Sequence, residues 1–155
     1  MFMSKDFYIS FSYLVVSFST SILKMDWAKI KEDIKDLEKR KEFFIHYLVD
    51  LERKLFEINQ LLPTISEEEN KESLLQAKER TEIEIRILRG SIEYLGNQIE
   101  IDNLRDKNIS LMEKRKPGEY IEHLVKKNLY EIEKLTEKNK RIRNEGMELI
   151  KKGES

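Results

Sequence analysis

The two histidines are the side chains best suited to metal chemistry, because a glutamate precedes each of them by four residues. Glu42 pairs with His46 and Glu119 with His123, a spacing that puts both side chains on one face of a helix. Helical bundles that hold two metal ions use Glu-x-x-His motifs instead, with further carboxylates that point into the core. The spacing and the outward heptad positions of both histidines therefore predict solvated surface side chains, with no metal site and no cofactor.

Known sequence signatures of enzymes are missing from the chain. It has no cysteine, which excludes disulfides, thiolate metal ligands and cysteine nucleophiles. It contains no phosphate loop of the Gly-x4-Gly-Lys-Ser/Thr type, no Gly-x-Ser-x-Gly nucleophile turn and no His-Glu-x-x-His zinc motif. We therefore assign no catalytic residue, and we expect a protein that is not an enzyme.

Basic residues form two clusters that could contact a nucleic-acid backbone. One is Lys114-Arg115-Lys116, and the other contains four basic residues between Lys138 and Arg143. Acidic residues are interspersed, and no aromatic side chains alternate with the basic ones to stack on bases. The net charge of −1 gives no general attraction to anions. A solvated charged surface is the favoured interpretation, and nucleic-acid binding is the less favoured one.

The elements that carry these residues are predicted to be long helices. Five glycines and two prolines in 155 residues are too few for a fold built on many tight turns. Charged residues make up 38% of the chain, against about 25% in an average protein. This composition is typical of solvated helices around a thin core, so the predicted fold class is all-α.

Two proline-containing segments divide the predicted helices. Pro63 and Pro117-Gly118 cannot lie inside a helix, because proline lacks an amide hydrogen and clashes with the preceding turn. Asp26 is placed to cap the first helix and Ser66 to cap the second, with Glu69 reaching back to the cap. The predicted helices cover residues 26–62, 66–115 and 119–152.

Apolar residues on the first and third predicted helices recur at alternating steps of three and four. This 3.5-residue repeat is typical of a coiled coil, in which one face of each helix winds around a partner. Two asparagines interrupt the repeat in the third helix, where polar side chains can fix the register. The repeat positions are Trp27, Ile30, Ile34, Leu37, Lys41, Phe44, Leu48, Leu51, Leu55, Ile58 and Leu62 in the first helix, and Ile121, Val125, Asn128, Ile132, Leu135, Asn139, Ile142, Gly146 and Leu149 in the third.

The middle helix carries more than one apolar face between residues 83 and 101. Connections of about three residues force both neighbours to run antiparallel to it. Counted back from the turns, the first helix reaches about residue 102 and the third about residue 82, so both overlap it only across this widened face. Residues 64–113 carry a net charge of −5 and residues 114–155 a net charge of +4, which favours their pairing. We expect an up-down-up antiparallel coiled-coil bundle of three long helices, three-stranded in the middle and two-stranded at its ends.

Two glycines, Gly90 and Gly96, fall inside the middle helix, where each costs about 1 kcal/mol relative to alanine. One interpretation is the close approach of another helix. A break of the helix near Gly96-Asn97, or among Asn103 and Asn108, is the second. A contact with a ligand is the third.

Residues 1–25 form a separate apolar segment before the bundle of residues 26–155. Residues 7–23 contain no charged side chain, but 17 residues are at the lower limit for a membrane-spanning helix, and six Ser or Thr hydroxyls reduce the hydrophobicity. Three interpretations are open: a membrane anchor, a segment outside the native product if translation starts at Met25, or an extension packed on the bundle. If the segment spans a membrane, the basic residues that follow it place the bundle in the cytoplasm.

A helical bundle without a catalytic or cofactor site predicts a structural or adaptor protein that mediates protein–protein association. Its two-stranded ends leave helical seam exposed, where a protein partner or a second copy can bind. The alternative is a membrane-anchored helical protein, held through residues 7–23, with a cytoplasmic bundle. A nucleic-acid-binding protein is the third and least favoured function. We expect a cytoplasmic location for the bundle in each case.

Overall fold

The computed structural model describes residues 26–154, and these residues are helical apart from short connections. Four helices pack against one another and no strand occurs in this range, which confirms the all-α prediction. The helices are α1 (Trp27–Asp33), α2 (Leu37–Leu61), α3 (Glu68–Glu113) and α4 (Glu122–Glu154), and a 3-10 turn covers Leu62–Thr64. The predictions made for residues 1–25 fall outside the described residues.

The first predicted helix, residues 26–62, is wrong as a single element, because the chain leaves the helical conformation after Asp33. Asp26 caps α1 as predicted, and its carboxylate accepts a hydrogen bond from the Lys29 amide at 3.1 Å. Asp36 then caps α2, accepting from the amides of Glu38 and Lys39 at 2.9 and 3.1 Å. A carboxylate that satisfies the free amides of a helix start favours a new helix over the continuation of the old one.

Arg40, on α2, binds the carbonyl oxygens at the C-terminal end of α1. Its guanidinium donates to the Ile34 carbonyl oxygen from Nε at 2.9 Å and from Nη2 at 2.7 Å. Nη2 also donates to the Lys31 carbonyl oxygen at 3.2 Å. The Trp27 ring lies 5.4 Å from the Phe44 ring, measured between centroids, so the N-terminal end of α1 turns back towards α2.

Both proline segments end helices, as the sequence predicts. Pro63 lies in the 3-10 turn, and α3 begins at Glu68 with Glu67 rather than Ser66 at the N-cap position. Gly118 has a φ of 82°, a conformation that glycine adopts without the steric cost of a β-carbon, and the chain turns there towards α4.

The helix α3 runs without interruption through both glycines, so the second interpretation, a break near Gly96-Asn97 or among Asn103 and Asn108, is wrong. A β-carbon at Gly90 would lie 3.4 Å from Cγ2 of Ile142 on α4, which agrees with the close-approach interpretation. At Gly96 it would lie 3.5 Å from Nζ of Lys41 on α2. A β-carbon there would make an ordinary van der Waals contact with the lysine that interrupts the apolar repeat of the first predicted helix.

Contacts between neighbouring helices pair rising residue numbers on α3 with falling numbers on α2 and α4. On α4, Asn139 bonds Asn97 and Asn128 bonds Asn108. On α2, Glu52 contacts Arg89 and Lys41 lies beside Gly96. Continued at 1.5 Å per residue, this register places α2 beside α3 between about residues 78 and 102, and α4 beside it between about residues 79 and 113.

The main apolar core lies where α2 and α4 both accompany α3. Every predicted repeat position of the first and third helices is buried or partly buried. In the core, α4 contributes Leu149 and Ile150, and α1 contributes Trp27 and Ile30. The buried members are Phe44 and Leu51 on α2 and Ile83, Ile85, Ile87, Leu88 and Leu95 on α3.

Candidate interaction surfaces

Both histidines are exposed, as the sequence predicts. His46 lies in the middle of α2, while His123 lies at the start of α4 with its ring stacked 6.0 Å from that of Tyr120. The register separates the two histidines by about 25 Å along α3. Within residues 26–154, no group of three or more His, Cys, Asp or Glu side chains could hold a metal ion.

The two basic clusters differ in their surroundings. In the α4 cluster, Lys138 Nζ lies 2.9 Å from a Glu93 carboxylate oxygen and Lys140 Nζ lies 3.2 Å from one of Glu137. The side chains of Lys114, Arg115 and Lys116 are exposed at the end of α3. Neighbouring carboxylates thus partly neutralise the α4 cluster, whereas Lys114, Arg115 and Lys116 add positive charge to one end of the bundle.

A buried carboxylate that no sequence motif indicates lies on α3. Glu84 is 1% exposed, between the buried Ile83 and Ile85. Burial raises the pKa of the Tyr47 phenol, and the negative charge of Glu84 raises it further. Burial lowers the pKa of the Lys54 amine, and Glu84 opposes that change. The uninterrupted burial of residues 83–85 shows that helices cover α3 on more than one side, which is why this carboxylate is not solvated.

Two asparagine pairs join α3 to α4. Asn97 Nδ2 donates to Asn139 Oδ1 at 2.9 Å, and Asn139 Nδ2 donates to the Tyr94 carbonyl oxygen at 3.2 Å. Asn128 Nδ2 donates to Asn108 Oδ1 at 2.8 Å. The apolar repeat indicates Asn128 and Asn139 as register-fixing residues, but it does not indicate their partners on α3. Because a shift of either helix would leave these buried amides without partners, the pairs oppose other registers.

A cleft of about 550 Å³ lies where α1 approaches α3 and α4. Its apolar lining includes Trp27, Leu95 and Leu149, and its polar lining includes Arg86 and Arg143. A second groove, between α2 and α3, is lined by three apolar residues, one of which is Phe56, and by five polar or charged ones. Grooves of this kind accept apolar side chains from a helix of another molecule.

Several large apolar side chains are exposed near the second proline. We define the Pro117-end patch as four residues: Ile109 and Met112 on α3, Tyr120 just before α4, and Leu124 in the first turn of α4. Met112 is 65% exposed and Tyr120 is 66% exposed. The α3–α4 register places Ile109 at the level of Leu124 and Met112 at the level of Tyr120. Each of the two chain segments thus exposes large apolar side chains at this end of the bundle.

Each end of the bundle extends beyond the region that three long helices share. We define the Pro63 end as residues 57–79, where α2 and α3 meet, and the Pro117 end as residues 103–130, where α3 and α4 meet. The Pro63 end carries six acidic and two basic side chains. The Pro117 end carries seven basic and four acidic side chains. The two ends therefore have opposite net charge.

No family model, curated protein or solved structure matches the chain. No helix among residues 26–154 combines the length and apolar character needed to cross a membrane, and residues 7–23 lie outside that range.

Proposed function

We propose that the protein is a structural or adaptor protein that mediates protein–protein association. Its described part would be an antiparallel coiled-coil bundle with two-stranded ends. The opposite numbering of contacting residues supports the antiparallel arrangement. The covered positions of the 3.5-residue repeat support coiled-coil packing.

The Pro117-end patch is the observation that carries the proposal. Methionine and aromatic side chains are enriched at protein interfaces, and here Met112 and Tyr120 are the most exposed members of the patch. Burying apolar surface contributes about 25 cal/mol for each Å² that is removed from water. A partner helix that covers the exposed Met112 would gain this energy without first opening the bundle.

Site-specific crosslinking in cells that produce the protein tests the proposal. A photoreactive benzoylphenylalanine replaces Met112 in one variant and the exposed Glu133 of α4 in a matched control. We expect the variant at position 112 to form discrete protein adducts on irradiation, and the control to form none of the same mass. Mass spectrometry then identifies the attached chain. An absence of protein adducts at position 112 contradicts the proposed function.

A further inference from the structure

Charge is divided between the two ends of the bundle, although the whole chain has a net charge of only −1. All the charged side chains of the Pro63 end except Lys78, and all those of the Pro117 end, are exposed. The helix α3 connects the two ends and is about 70 Å long. This distance is many times the Debye length of about 8 Å in physiological salt. Each end therefore presents its own charge to an approaching molecule.

Two copies can meet through like ends or through opposite ends. Contact between two Pro117 ends brings a net positive charge against a net positive charge, and contact between two Pro63 ends brings negative against negative. Contact between a Pro117 end and a Pro63 end brings opposite charges together. Like charges at an interface suppress a pairing and opposite charges favour it. The charge pattern thus selects a head-to-tail contact.

Both ends also expose apolar surface for such a contact. The Pro117 end presents its patch, and the Pro63 end exposes Leu75 on the first turns of α3. Phe56 is exposed at the border of the Pro63 end, where it lines the groove between α2 and α3. A head-to-tail contact can bury apolar side chains from both copies while their charges complement each other.

We infer that the partner of the Pro117-end patch is the Pro63 end of a second copy of this chain. The inference rests on the proposed function, because it names the partner of the same surface. Copies joined end to end leave one Pro117 end and one Pro63 end unoccupied, so their association continues as an open series. Two copies that lie side by side and antiparallel satisfy both contacts at once and stop at a dimer.

Sedimentation velocity of the full chain at increasing concentration provides the first test. In about 0.05 M salt we expect the mean size to rise with concentration, as a monomer–dimer equilibrium for side-by-side copies or as an open series for end-to-end copies. Raising the salt to about 0.5 M should weaken association by about tenfold or more, because the charges involved are exposed. A chain that stays monomeric at every concentration overturns the inference.

Charge reversal provides the sharper test. A first variant with three lysines of the Pro117 end changed to glutamate has two acidic ends, and a second with three glutamates of the Pro63 end changed to lysine has two basic ends. Each alone should associate about tenfold or more weakly than the wild type, whereas an equimolar mixture should regain association. The changes are Lys114→Glu, Lys116→Glu and Lys127→Glu in the first variant, and Glu57→Lys, Glu72→Lys and Glu79→Lys in the second.

A third variant controls for the number of reversed charges. It changes three exposed basic residues in the middle of α4, and it should associate like the wild type: Lys134→Glu, Lys140→Glu and Arg141→Glu. Circular dichroism verifies the helix content of each variant. A mixture of the first two variants that stays dissociated overturns the head-to-tail contact, and so does a control that loses association.

The outcomes separate this inference from the proposed function. If position 112 crosslinks to a different protein and the purified chain is monomeric, the head-to-tail contact is wrong and the proposed function stands. If position 112 forms no protein adduct and the purified chain is monomeric, both are wrong.

Discussion

Replacement of Arg40 by methionine should release α1 from the bundle. The change removes three hydrogen bonds, two to the Ile34 carbonyl oxygen at 2.7 and 2.9 Å and one to that of Lys31 at 3.2 Å, and keeps an unbranched side chain. A hydrogen bond from a charged donor contributes about 1.5–3 kcal/mol. Since Arg40 is partly exposed and water replaces some of these contacts, we expect a loss of about 1–3 kcal/mol in total. The ratio of docked to undocked α1 then falls by about 5–150-fold.

Trp27 makes this change measurable. It is the only tryptophan in the chain, and in the docked α1 it packs against Phe44. In Arg40→Met we expect red-shifted emission and stronger quenching by acrylamide. The urea midpoint followed by circular dichroism should change little, because most helical residues lie in α2, α3 and α4.

Arg53→Met is the matched control for this experiment. Arg53 is also on α2, but its side chain is exposed and only reaches Asp50 at 4.0 Å. The Trp27 emission of this variant should equal that of the wild type. Unchanged emission and quenching in Arg40→Met would refute the assignment of Arg40 as the residue that holds α1.

Four further predictions concern the packed part of the molecule. Leu88→Ala should lower the free energy of unfolding in urea by about 2–5 kcal/mol because Leu88 is fully buried, whereas Leu129→Ala, at an exposed site, should cost less than about 0.5 kcal/mol. Asn139→Ala should cost about 1–3 kcal/mol in the same titration through its lost bonds to α3, and an unchanged midpoint contradicts the role of this pair. Gly146→Ala should raise the melting temperature, with a gain of about 0.5–1 kcal/mol, because a β-carbon there meets no atom within 4 Å; a lower melting temperature contradicts this. Tyr47→Phe should reduce the loss of stability above pH 10: the folded-state pKa of Tyr47 is raised above its ordinary value of 10.0, so the unfolded chain ionises first and stability falls as pH rises. Melting curves of both proteins between about pH 9 and about pH 11 check this, and equal losses contradict it.

The covered faces of the helices could be predicted from the sequence because apolar spacing reports burial directly. The break between Asp33 and Leu37 could not be predicted in this way, since Ile30, Ile34 and Leu37 fit one continuous repeat. The residues that favour the break are local and polar. Asp36 can cap a new helix, and Arg40 can donate to the carbonyl oxygens at the end of α1.

The partners of the two seam asparagines were also missed, although the sequence contains a usable signal. Asn97 and Asn108 are 11 residues apart, and so are Asn128 and Asn139. Equal spacing on two helices that run in opposite directions lets both pairs meet in one register. Burial of Glu84 is harder to infer, because a glutamate between isoleucines is equally compatible with an exposed side of a helix.

The folded-back α1 determines where the polypeptide enters the bundle. Because Trp27 lies against Phe44, the chain arrives near the level of Leu95, close to the midpoint of α3. An unbroken first helix would instead place the start of the chain's bundle at the level of Met112, at the Pro117 end. A tether or fusion joined on the N-terminal side of Asp26 would therefore hold the molecule near the middle of α3. The Pro63 end and the Pro117 end could both still contact neighbouring molecules.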